Sequence, residues 1–340
     1  WEGNNAMGSK ANRLALDKIF KKYMMEILLV IMAIILSVSA HGFFTPNNLL
    51  SIFRSMAING VVAFGMTMVI IGGEIDLSVG STIALSAVLT AFVSNKLAGV
   101  GVAPEFAVVI GIAVSLLTGA LIGFINGFIR TRYKIPSFII TLAMLNVIYG
   151  VAAVLSNGFP ITISSEWYSF IGAGQLFRGE NFQGIPVPGV WLILVFIAVA
   201  IVMNRMRFGR EVYAVGGNPE SARLSGINVN KVKIVIMMVV QVLAAFAGII
   251  LSSQVMAGSP QFGKGYETDI ISAVIIGGAS LNGGIGKTRG TFIGIIFLGV
   301  ILNGMTLLGV DDYVKYIVRG SIILFAVLVN TIQLQRKDNE

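Results

Sequence analysis

The sequence predicts an all-α membrane protein that crosses the bilayer about ten times, and three observations support this fold class. Hydrophobic residues make up 56% of the 340-residue chain and charged residues only 12%, whereas soluble domains carry roughly 25% charged residues. Long apolar runs recur from one end of the chain to the other, which is typical of a membrane-embedded helical bundle. Lysine and arginine are concentrated in the connections on one side of the predicted bundle.

Ten apolar segments are expected to form the membrane helices, because about 20 apolar residues, with a usual range of roughly 17–25, cross the hydrocarbon core. In chain order they span about 24–40, 53–71, 79–94, 105–129, 136–157, 189–203, 234–256, 269–281, 290–308 and 313–332. The segments at 189–203 and 269–281 are short. Each is therefore expected to be a half-helix or to be lengthened by its neighbours.

The distribution of cations predicts the orientation of the bundle. With a cytoplasmic N-terminus, the inside segments carry 18 of the 24 Lys and Arg residues, as the positive-inside rule requires. These segments are 1–23, 72–78, 130–135, 204–233, 286–290 and 333–340. We therefore expect a cytoplasmic N-terminal segment (1–23), a transmembrane domain (24–332) and a cytoplasmic tail (333–340). Because the cations are spread between membrane spans, we expect contact with lipid and none with nucleic acid.

The composition leaves little scope for catalysis by this chain. Cysteine is absent and His41 is the only histidine, which excludes disulfides and thiolate metal sites. A membrane-embedded enzyme would need a convergent set of carboxylates, histidines or a nucleophile with its base. We therefore expect no catalytic residue and no metal site. A passive channel is a second alternative, although it usually needs a ring of pore-lining charges or carbonyls in a higher oligomer.

A glycine-rich stretch at 275–294, IIGGASLNGGIGKTRGTFIG, contains the Gly-Lys-Thr of a phosphate-binding loop. That loop requires G-x-x-x-x-G-K-[ST] between a strand and a helix, but Leu281 stands where the first glycine should be. The stretch also connects two apolar segments, with no soluble domain around it. We expect a close-packed cytoplasmic connection, anchored inside by Lys287 and Arg289, and no nucleotide site.

A second glycine-rich break, GGEIDLSVGS at 72–81, places Glu74 and Asp76 between two apolar segments. A carboxylate at the bilayer centre costs about 2.5–3.5 kcal/mol on insertion scales, so such groups usually face a cavity or a partner. The alternative is that both carboxylates lie at a water-exposed inner end of the helix pair. Asp76 is also a good N-cap for the next span.

The inside segment 204–233 is expected to contain one short helix. Asn218 is a favoured N-cap, Pro219 suits the first helical position and Gly226 suits the C-terminal stop. About six residues do not hold a helix alone in water, so this helix must pack on something. We interpret it as a docking element for a cytoplasmic partner; the alternative is an ordinary structured loop.

Several longer stretches together resemble one family. They are IGGEIDLSVGS, KIPSFIITLAMLNVIYG, FGREVYAVGGNPESARLSGIN, and GGASLNGGIGKTRGTFIG followed by NGMTLLG. From about 14 to 337, in family order, the chain resembles the permease subunits of bacterial ribose- and galactose-type ABC importers. The chain departs from the family pattern GGIDLS by an inserted Glu74, so the resemblance assigns no role to that residue.

The resemblance implies a fold, a location and a set of partners. The fold is a type II ABC importer-like permease of ten helices in the bacterial cytoplasmic (inner) membrane. The partners are a second permease subunit, identical or a close paralogue, two ATP-binding-cassette ATPase domains and an extracytoplasmic sugar-binding protein. ATP and Mg²⁺ then belong to the partner ATPase, and this chain binds no cofactor. The ATPase contact falls on Asn218, Pro219, Glu220, Ser221, Ala222, Arg223 and Gly226.

Polar residues within or between the spans are the candidates for a sugar path, because amides can both donate and accept hydrogen bonds with hydroxyl groups. The predicted path residues are Asn59, Asp76, Asn126, Asn146, Gln241 and Asn303. Hydrogen bonding between helices is the alternative role for each of them. The expected cargo is a monosaccharide, with ribose as the first choice and galactose, a nucleoside or a furanosyl signalling molecule as alternatives.

The longest outside loop, 158–188, is the expected contact for the sugar-binding protein. Glu166, Trp167 and Tyr168 are the candidate residues, because amphipathic aromatic side chains are enriched at protein contacts. The alternative is a membrane-surface helix with Trp167 among the lipid headgroups.

Overall fold

The computed structural model describes residues 25–179 and 182–338, and within these ranges the chain is mostly helical. The longer helices are α1 (Met25–Ser39), α2 (Pro46–Ile71), α3 (Val79–Gly99), α4 (Pro104–Tyr133), α5 (Ser137–Leu155), α7 (Val187–Arg205), α8 (Arg207–Gly217), α10 (Val229–Val255), α11 (Tyr266–Ile276), α12 (Thr288–Leu307) and α13 (Asp312–Asp338). Two shorter helices, α6 (Ser169–Ala173) and α9 (Pro219–Leu224), lie in the connections. The expected N-terminal segment 1–23 lies outside the described residues.

In the described part of the chain, four two-residue strands form two small antiparallel pairs in the loops. β1 (Ile161–Thr162) pairs with β4 (Ala257–Gly258), and β2 (Gln175–Leu176) pairs with β3 (Ile185–Pro186). The first pair joins the connection after α5 to the end of α10. The second pair closes the hairpin that leads into α7.

Each of the ten predicted apolar segments overlaps a helix in the described part of the chain. Seven of these helices, α2, α3, α4, α5, α7, α10 and α12, are long and apolar enough to cross a membrane. The tenth segment is predicted to end at 332, and α13 continues to Asp338. The part of the prediction that is confirmed is thus a helical membrane protein with several spans.

The two short predicted segments turn out differently. The segment at 189–203 is lengthened by its neighbours, because α7 runs over 19 residues and starts with Val187 and Pro188. The segment at 269–281 contains α11, which has only 11 residues. At 1.5 Å per residue α11 is about 16 Å long, roughly half of the hydrocarbon thickness. It is therefore a half-helix, entered through a non-helical connection.

The centre of the bundle is built on close backbone contacts. On one face of α4, Gly119, Gly123 and Gly127 recur every four residues and meet α10. A Cβ added at Gly123 would lie 2.5 Å from the Met237 carbonyl oxygen, and one at Gly127 would lie 2.7 Å from the Ile234 Cα. Small residues at such positions let helices approach closely, and dispersion between the backbones then stabilises the pair.

Apolar side chains also cover much of the outer surface of the bundle. Leu117 on α4, Val154 on α5 and Ile201 on α7 are 70%, 77% and 51% exposed. A protein whose helices are apolar on their outer faces as well as in the core is adapted to a lipid environment. By contrast, α2 is buried along most of its length by α7, α10, α11 and α12. The candidate site residues are arranged around this central helix.

Candidate functional site

The connection between α2 and α3 is held by a buried ion triad. The Glu74 side chain is only 2% exposed and accepts from Arg130 Nε on α4, at 3.0 and 2.9 Å. On its other side Lys233 Nζ, at the start of α10, lies 2.5 Å from Glu74 Oε1. The idea that this carboxylate lies at a water-exposed end is therefore wrong. Two cations from different helices compensate the charge that burial would otherwise leave unpaired.

Asp76 lies deeper in the same connection and is fully buried. Its carboxylate accepts from the Ser78 backbone N–H and hydroxyl at 2.8 and 2.6 Å, and from Gln241 Nε2 at 2.8 Å. Asn126 Nδ2 donates to the Ser78 hydroxyl at 3.2 Å. Asp76 thus makes a local turn with Ser78, which is itself the N-cap residue of α3. The expectation of Asp76 as that N-cap is wrong by two residues.

Three of the predicted path residues, Asp76, Asn126 and Gln241, are therefore neighbours in one buried cluster. Their hydrogen bonds connect the 72–78 connection with α4 and α10, which is the interhelical role weighed as the alternative. Gln241 also accepts from Thr82 Oγ1 at 2.5 Å. Most of these polar groups partner one another, so the cluster holds the backbone in place, although Asn126 Oδ1 is buried without a hydrogen-bond partner in the described part of the chain. A role for it in the sugar path stays a prediction.

The extended backbone of 72–78 also obtains partners from α5. The Ile75 N–H donates to Ser137 Oγ at 3.0 Å, and the Leu77 N–H donates to Thr141 Oγ1 at 3.1 Å. Non-helical backbone within a membrane protein is tolerated where the protein itself satisfies its polar groups. Here the hydroxyl groups of Ser137 and Thr141 on α5 accept hydrogen bonds from two of these backbone N–H groups.

A cavity of about 390 Å³ opens between α2, α11, α12 and α13, and we call it the first cavity. Two predicted path residues, Asn59 and Asn303, line it. Its other polar lining includes Ser51, Ser55, Tyr266, Asp269 and Arg319. Arg319 Nε lies 2.8 Å from Asp269 Oδ1, and these side chains are 20% and 5% exposed.

The two amides differ in their partners. Asn303 and Asn48 form a reciprocal pair, each donating its Nδ2 to the other's Oδ1 at 2.9 Å. The Asn59 carbonyl oxygen is buried and has no hydrogen-bond partner within the described ranges. Such an orphaned acceptor is costly unless something else occupies the cavity and donates to it.

Asn146, the sixth predicted path residue, lies in a second cavity of about 260 Å³. The cavity lies between α3, α5 and the connection into α11, and Ser81, Tyr149, Lys264 and Glu267 line it with Asn146. The six predicted residues are thus distributed over three places. The charged members of both cavities, such as Asp269 and Arg319, were missed as path candidates. For Asp269 and Arg319 the signal was an acid and a base, each within an apolar segment, whereas Lys264 and Glu267 lie between two such segments.

The short helix α9 has the caps that were predicted for it. Asn218 Oδ1 accepts from the Ser221 N–H at 3.0 Å, and Gly226 has a left-handed backbone with φ of +82°. The Gly226 and Ile227 N–H groups return to the Arg223 and Ala222 carbonyls, both at 3.0 Å. This pattern of a left-handed residue with two reversed bonds is a Schellman stop.

One face of α9 is packed and the other is free. Ala222 is 4% exposed, whereas Leu224 is 89% exposed. Glu220 and Arg223 stand three residues apart with 4.0 Å between Oε1 and Nη1, and both are largely exposed. Such a surface pair contributes little to stability, so the outer face of α9 presents an apolar side chain and two ionic groups to whatever lies beside it.

Helix α8 joins α9 to the bundle through three pairs of adjacent glycines, which we call the glycine joint. The pairs are Gly72–Gly73 after α2, Gly216–Gly217 at the end of α8 and Gly283–Gly284 before α12. A Cβ added at Gly216 would overlap the Ile71 carbonyl oxygen, and the Gly284 N–H donates to that same oxygen at 2.8 Å. The three backbones can meet only because they carry no side chains there.

A tyrosine fastens α8 to the same connection. Tyr213 Oη donates to the Gly286 carbonyl at 2.8 Å. Burial raises the pKa of Tyr213 above its ordinary value, so the hydroxyl keeps its proton and remains a donor. The Gly-Lys-Thr stretch therefore packs against α8 and binds it through Gly286. Lys287 is the N-cap residue of α12.

The predicted docking residues in the loop 158–188 require one correction. Glu166 and Trp167 are exposed, but Tyr168 is fully buried. Its hydroxyl bonds the Ile249 carbonyl at 3.0 Å and the Ser252 hydroxyl at 2.5 Å. Tyr168 is therefore an anchor of the loop on α10 and is not available to a docking protein, because the loop folds back over the end of that helix.

Comparison with known proteins agrees with this architecture. The family model described as branched-chain amino acid transport system / permease component matches residues 48–327. The ribose import permease protein RbsC of Bacillus subtilis strain 168 is 40% identical over 322 residues, covering 95% of this chain and 96% of its own. Its namesake in Escherichia coli K12 is 40% identical over 319 residues, covering 91% and 95%.

A third relative is the L-arabinose transport system permease protein AraH of Escherichia coli K12, 35% identical over 331 residues, with 97% and 96% covered. No solved structure matches the chain. The resemblance to bacterial monosaccharide permeases is confirmed by these full-length matches. The chain therefore belongs to the family whose model is described as branched-chain amino acid transport system / permease component.

Proposed function

We propose that this chain is the transmembrane permease subunit of an ATP-driven importer that carries a monosaccharide, with ribose as the first choice. The observation that carries the proposal is the 40% identity to two ribose import permeases over more than nine-tenths of the chain. The L-arabinose permease relative, at 35% identity, keeps other monosaccharides as the second candidates. Identity of this kind supports a sugar cargo more strongly than it supports one particular sugar.

The finer architecture belongs to the same proposal. We place ten helices, α1 to α5, α7 and α10 to α13, across or into the bacterial inner membrane in a type II importer arrangement. Both termini are cytoplasmic, as the excess of cations in one set of connections indicates. The working unit contains a second permease subunit, two ATPase domains that bind ATP and Mg²⁺, and an extracytoplasmic sugar-binding protein. Glu166 and Trp167 remain the candidates for contact with the binding protein.

Helix α9 is the proposed contact with the ATPase. Its caps fix its length, and the buried Ala222 packs it against the bundle. Its exposed side chains, Leu224, Glu220 and Arg223, are accessible to a partner. Through α8 and the glycine joint its position is fixed relative to the ends of α2 and α12. A rigid short helix on such a base has what is needed to transmit movement of a bound ATPase into the membrane domain.

Reconstitution tests the proposal directly. The chain is placed in proteoliposomes with its partner ATPase and sugar-binding protein, and uptake of labelled D-ribose is measured with and without ATP. We expect uptake that requires ATP and the binding protein, reduced by L-arabinose or D-galactose only where the binding protein accepts them. Sugar flux that continues without ATP would instead indicate a passive channel.

A further inference from the structure

The first cavity has a size suited to a small ligand. At about 390 Å³ it falls at the lower end of the range of roughly 300–1,000 Å³ that is usual for small-molecule pockets. Its walls are mostly apolar, with Met56, Ile295 and Leu298 among them, and a few polar groups converge on it. This combination is typical of ligand sites.

The polar groups of the cavity match hydroxyl chemistry. A hydroxyl donates one hydrogen bond and accepts others, so vicinal hydroxyls are bound well by planar groups that offer acceptors and donors together. The Asp269 carboxylate is an acceptor, the Arg319 guanidinium is a donor, and the Asn59 amide is both. The Asn59 carbonyl oxygen is buried and has no protein partner in the described part of the chain, so a hydroxyl that donates to it would remove an existing cost.

The charges of the cavity favour an uncharged ligand. Asp269 and Arg319 compensate each other, with 2.8 Å between Oδ1 and Nε. A ligand that carried its own charge, such as a sugar phosphate, would have to bury it among apolar walls without a free counterion. A neutral polyhydroxylated molecule meets no such penalty. Tyr266 adds an aromatic surface for its C–H face.

The position of the cavity suits an early step of import. Ser51, Ser55 and Asn59 lie in the first half of α2, whereas the glycine joint lies beyond its end at Ile71. From Ser55 to Ile71 the helix rises by about 24 Å. The cavity is therefore near the face opposite α8 and α9, which is the extracytoplasmic face in the proposed orientation.

We propose that the first cavity is a transient binding subsite for the neutral monosaccharide, and that Asn59, Asp269 and Arg319 recognise its hydroxyl groups. This inference rests on the proposed function, because it assigns a place within the permease to the same cargo. The second cavity, where neither Lys264 nor Glu267 belongs to an ion pair in the described part of the chain, is the rival location.

Cysteine protection tests the subsite without relying on transport. The chain has no cysteine, so Ser55→Cys introduces a single reactive thiol into the cavity lining. In the assembled complex, we measure its rate of modification by a small methanethiosulfonate reagent. We expect millimolar D-ribose to slow modification several-fold, while D-ribose 5-phosphate and glycine betaine leave the rate unchanged. Ser321→Cys, on an exposed position of α13 outside the lining, is the control and should show no protection.

A second substitution in the Ser55→Cys background identifies the recognising group. Asn59→Leu removes the amide with little change of volume, and since the carbonyl oxygen is already unpartnered within the described ranges we expect the fold to tolerate it. Protection by D-ribose should then require at least tenfold more sugar, and uptake of D-ribose should fall. Asn204→Leu, at an exposed position of α7 outside the cavity lining, is the matched control.

The outcomes separate the two proposals. If the wild-type complex imports D-ribose but the thiol of the Ser55→Cys variant is modified equally fast with and without the sugar, the subsite is wrong and the function stands. Equal protection by D-ribose 5-phosphate would also overturn the subsite, since it would then not select a neutral sugar. If the wild-type complex imports no monosaccharide under any condition, the proposed function itself fails.

Discussion

Glu74 is a single carboxylate that joins three elements, since it lies in the 72–78 connection and meets Arg130 on α4 and Lys233 on α10. No signal in its local sequence pointed to these partners, because both are far away along the chain. The structure nevertheless gives Glu74 a clear physical role. Its single negative charge offsets the repulsion between two cations, which lie near the C-terminal end of α4 and near the start of α10.

Replacing this carboxylate should therefore destabilise the protein. Glu74→Gln leaves Arg130 and Lys233 partly buried without a counterion, and breaking a buried pair in this way typically costs about 3–5 kcal/mol. We expect a lower Tm for the purified permease in detergent. Glu211→Gln is the matched control, because its partner Arg207 is 83% exposed and ion pairs open to solvent contribute about 0–1 kcal/mol. Equal Tm values for the two variants would contradict the role assigned to Glu74.

Gly216 and Gly217 allow an equally local test of the glycine joint. Gly216→Ala places a methyl group on the Ile71 carbonyl oxygen, whereas the corresponding methyl at Gly217 meets nothing within 4 Å. The first change should displace α8 and lower the amount of sugar imported per ATP hydrolysed. The second should leave that ratio unchanged. A ratio that is the same in both variants would show that the joint does not carry the coupling.

At the scale of elements, α9 is the clearest case of a helix defined by local chemistry. Asn218, Pro219 and Gly226 specify its start and stop, so its bounds could be read from the sequence. What it contacts could not, since that depends on the path of α8 and on the three glycine pairs. The same holds for the half-helix α11. Its apolar segment left open whether neighbouring residues lengthen the helix, and the non-helical connection before Tyr266 shows that they do not.

The exposed face of α9 predicts where ATPase binding is sensitive. Leu224→Asp should weaken binding of the partner ATPase at least tenfold, since it places a charge where an apolar contact is proposed. The Tm of the permease alone should not change, because Leu224 is already 89% exposed. Val100→Asp is the control, since Val100 is 78% exposed in the connection between α3 and α4, on the opposite face in the proposed orientation. Undiminished ATPase binding by the Leu224 variant would exclude α9 from the contact.

At the scale of the whole molecule, the order and approximate extent of the apolar helices were predictable, whereas α8 within the segment 204–233 and the positions of the polar groups were not. Apolar run length is a property of consecutive residues, so the spans follow from it. Which polar side chains meet depends instead on how each helix is rotated in the bundle. Asn126 and Gln241 therefore share a buried cluster, Asn59 shares a cavity with Asn303, and Tyr168 turns inward against α10.

The orientation of the molecule is open to a direct measurement. Single cysteines replace Ser225, next to the stop of α9, and Val100 between α3 and α4; Val100 is exposed. In intact cells an impermeant maleimide should label the cysteine at 100 and not the one at 225, which should react only after the membrane is opened. The reverse pattern would show that the bundle is inserted with the opposite orientation.

The glycine joint has a mechanical consequence for the first cavity. Helices α2 and α12 form two of its walls, and both have their opposite ends at the joint, where Gly284 bonds Ile71. Between joint and cavity the two helices are linked by the hydroxyls of Thr67 and Thr291, 2.7 Å apart. We therefore expect a sideways movement of α8 at this end of the bundle to shift α2 and α12 relative to each other, and so to change the width of the cavity at their other ends. In this geometry the ATPase would act on the sugar from the opposite side of the membrane, without contacting it.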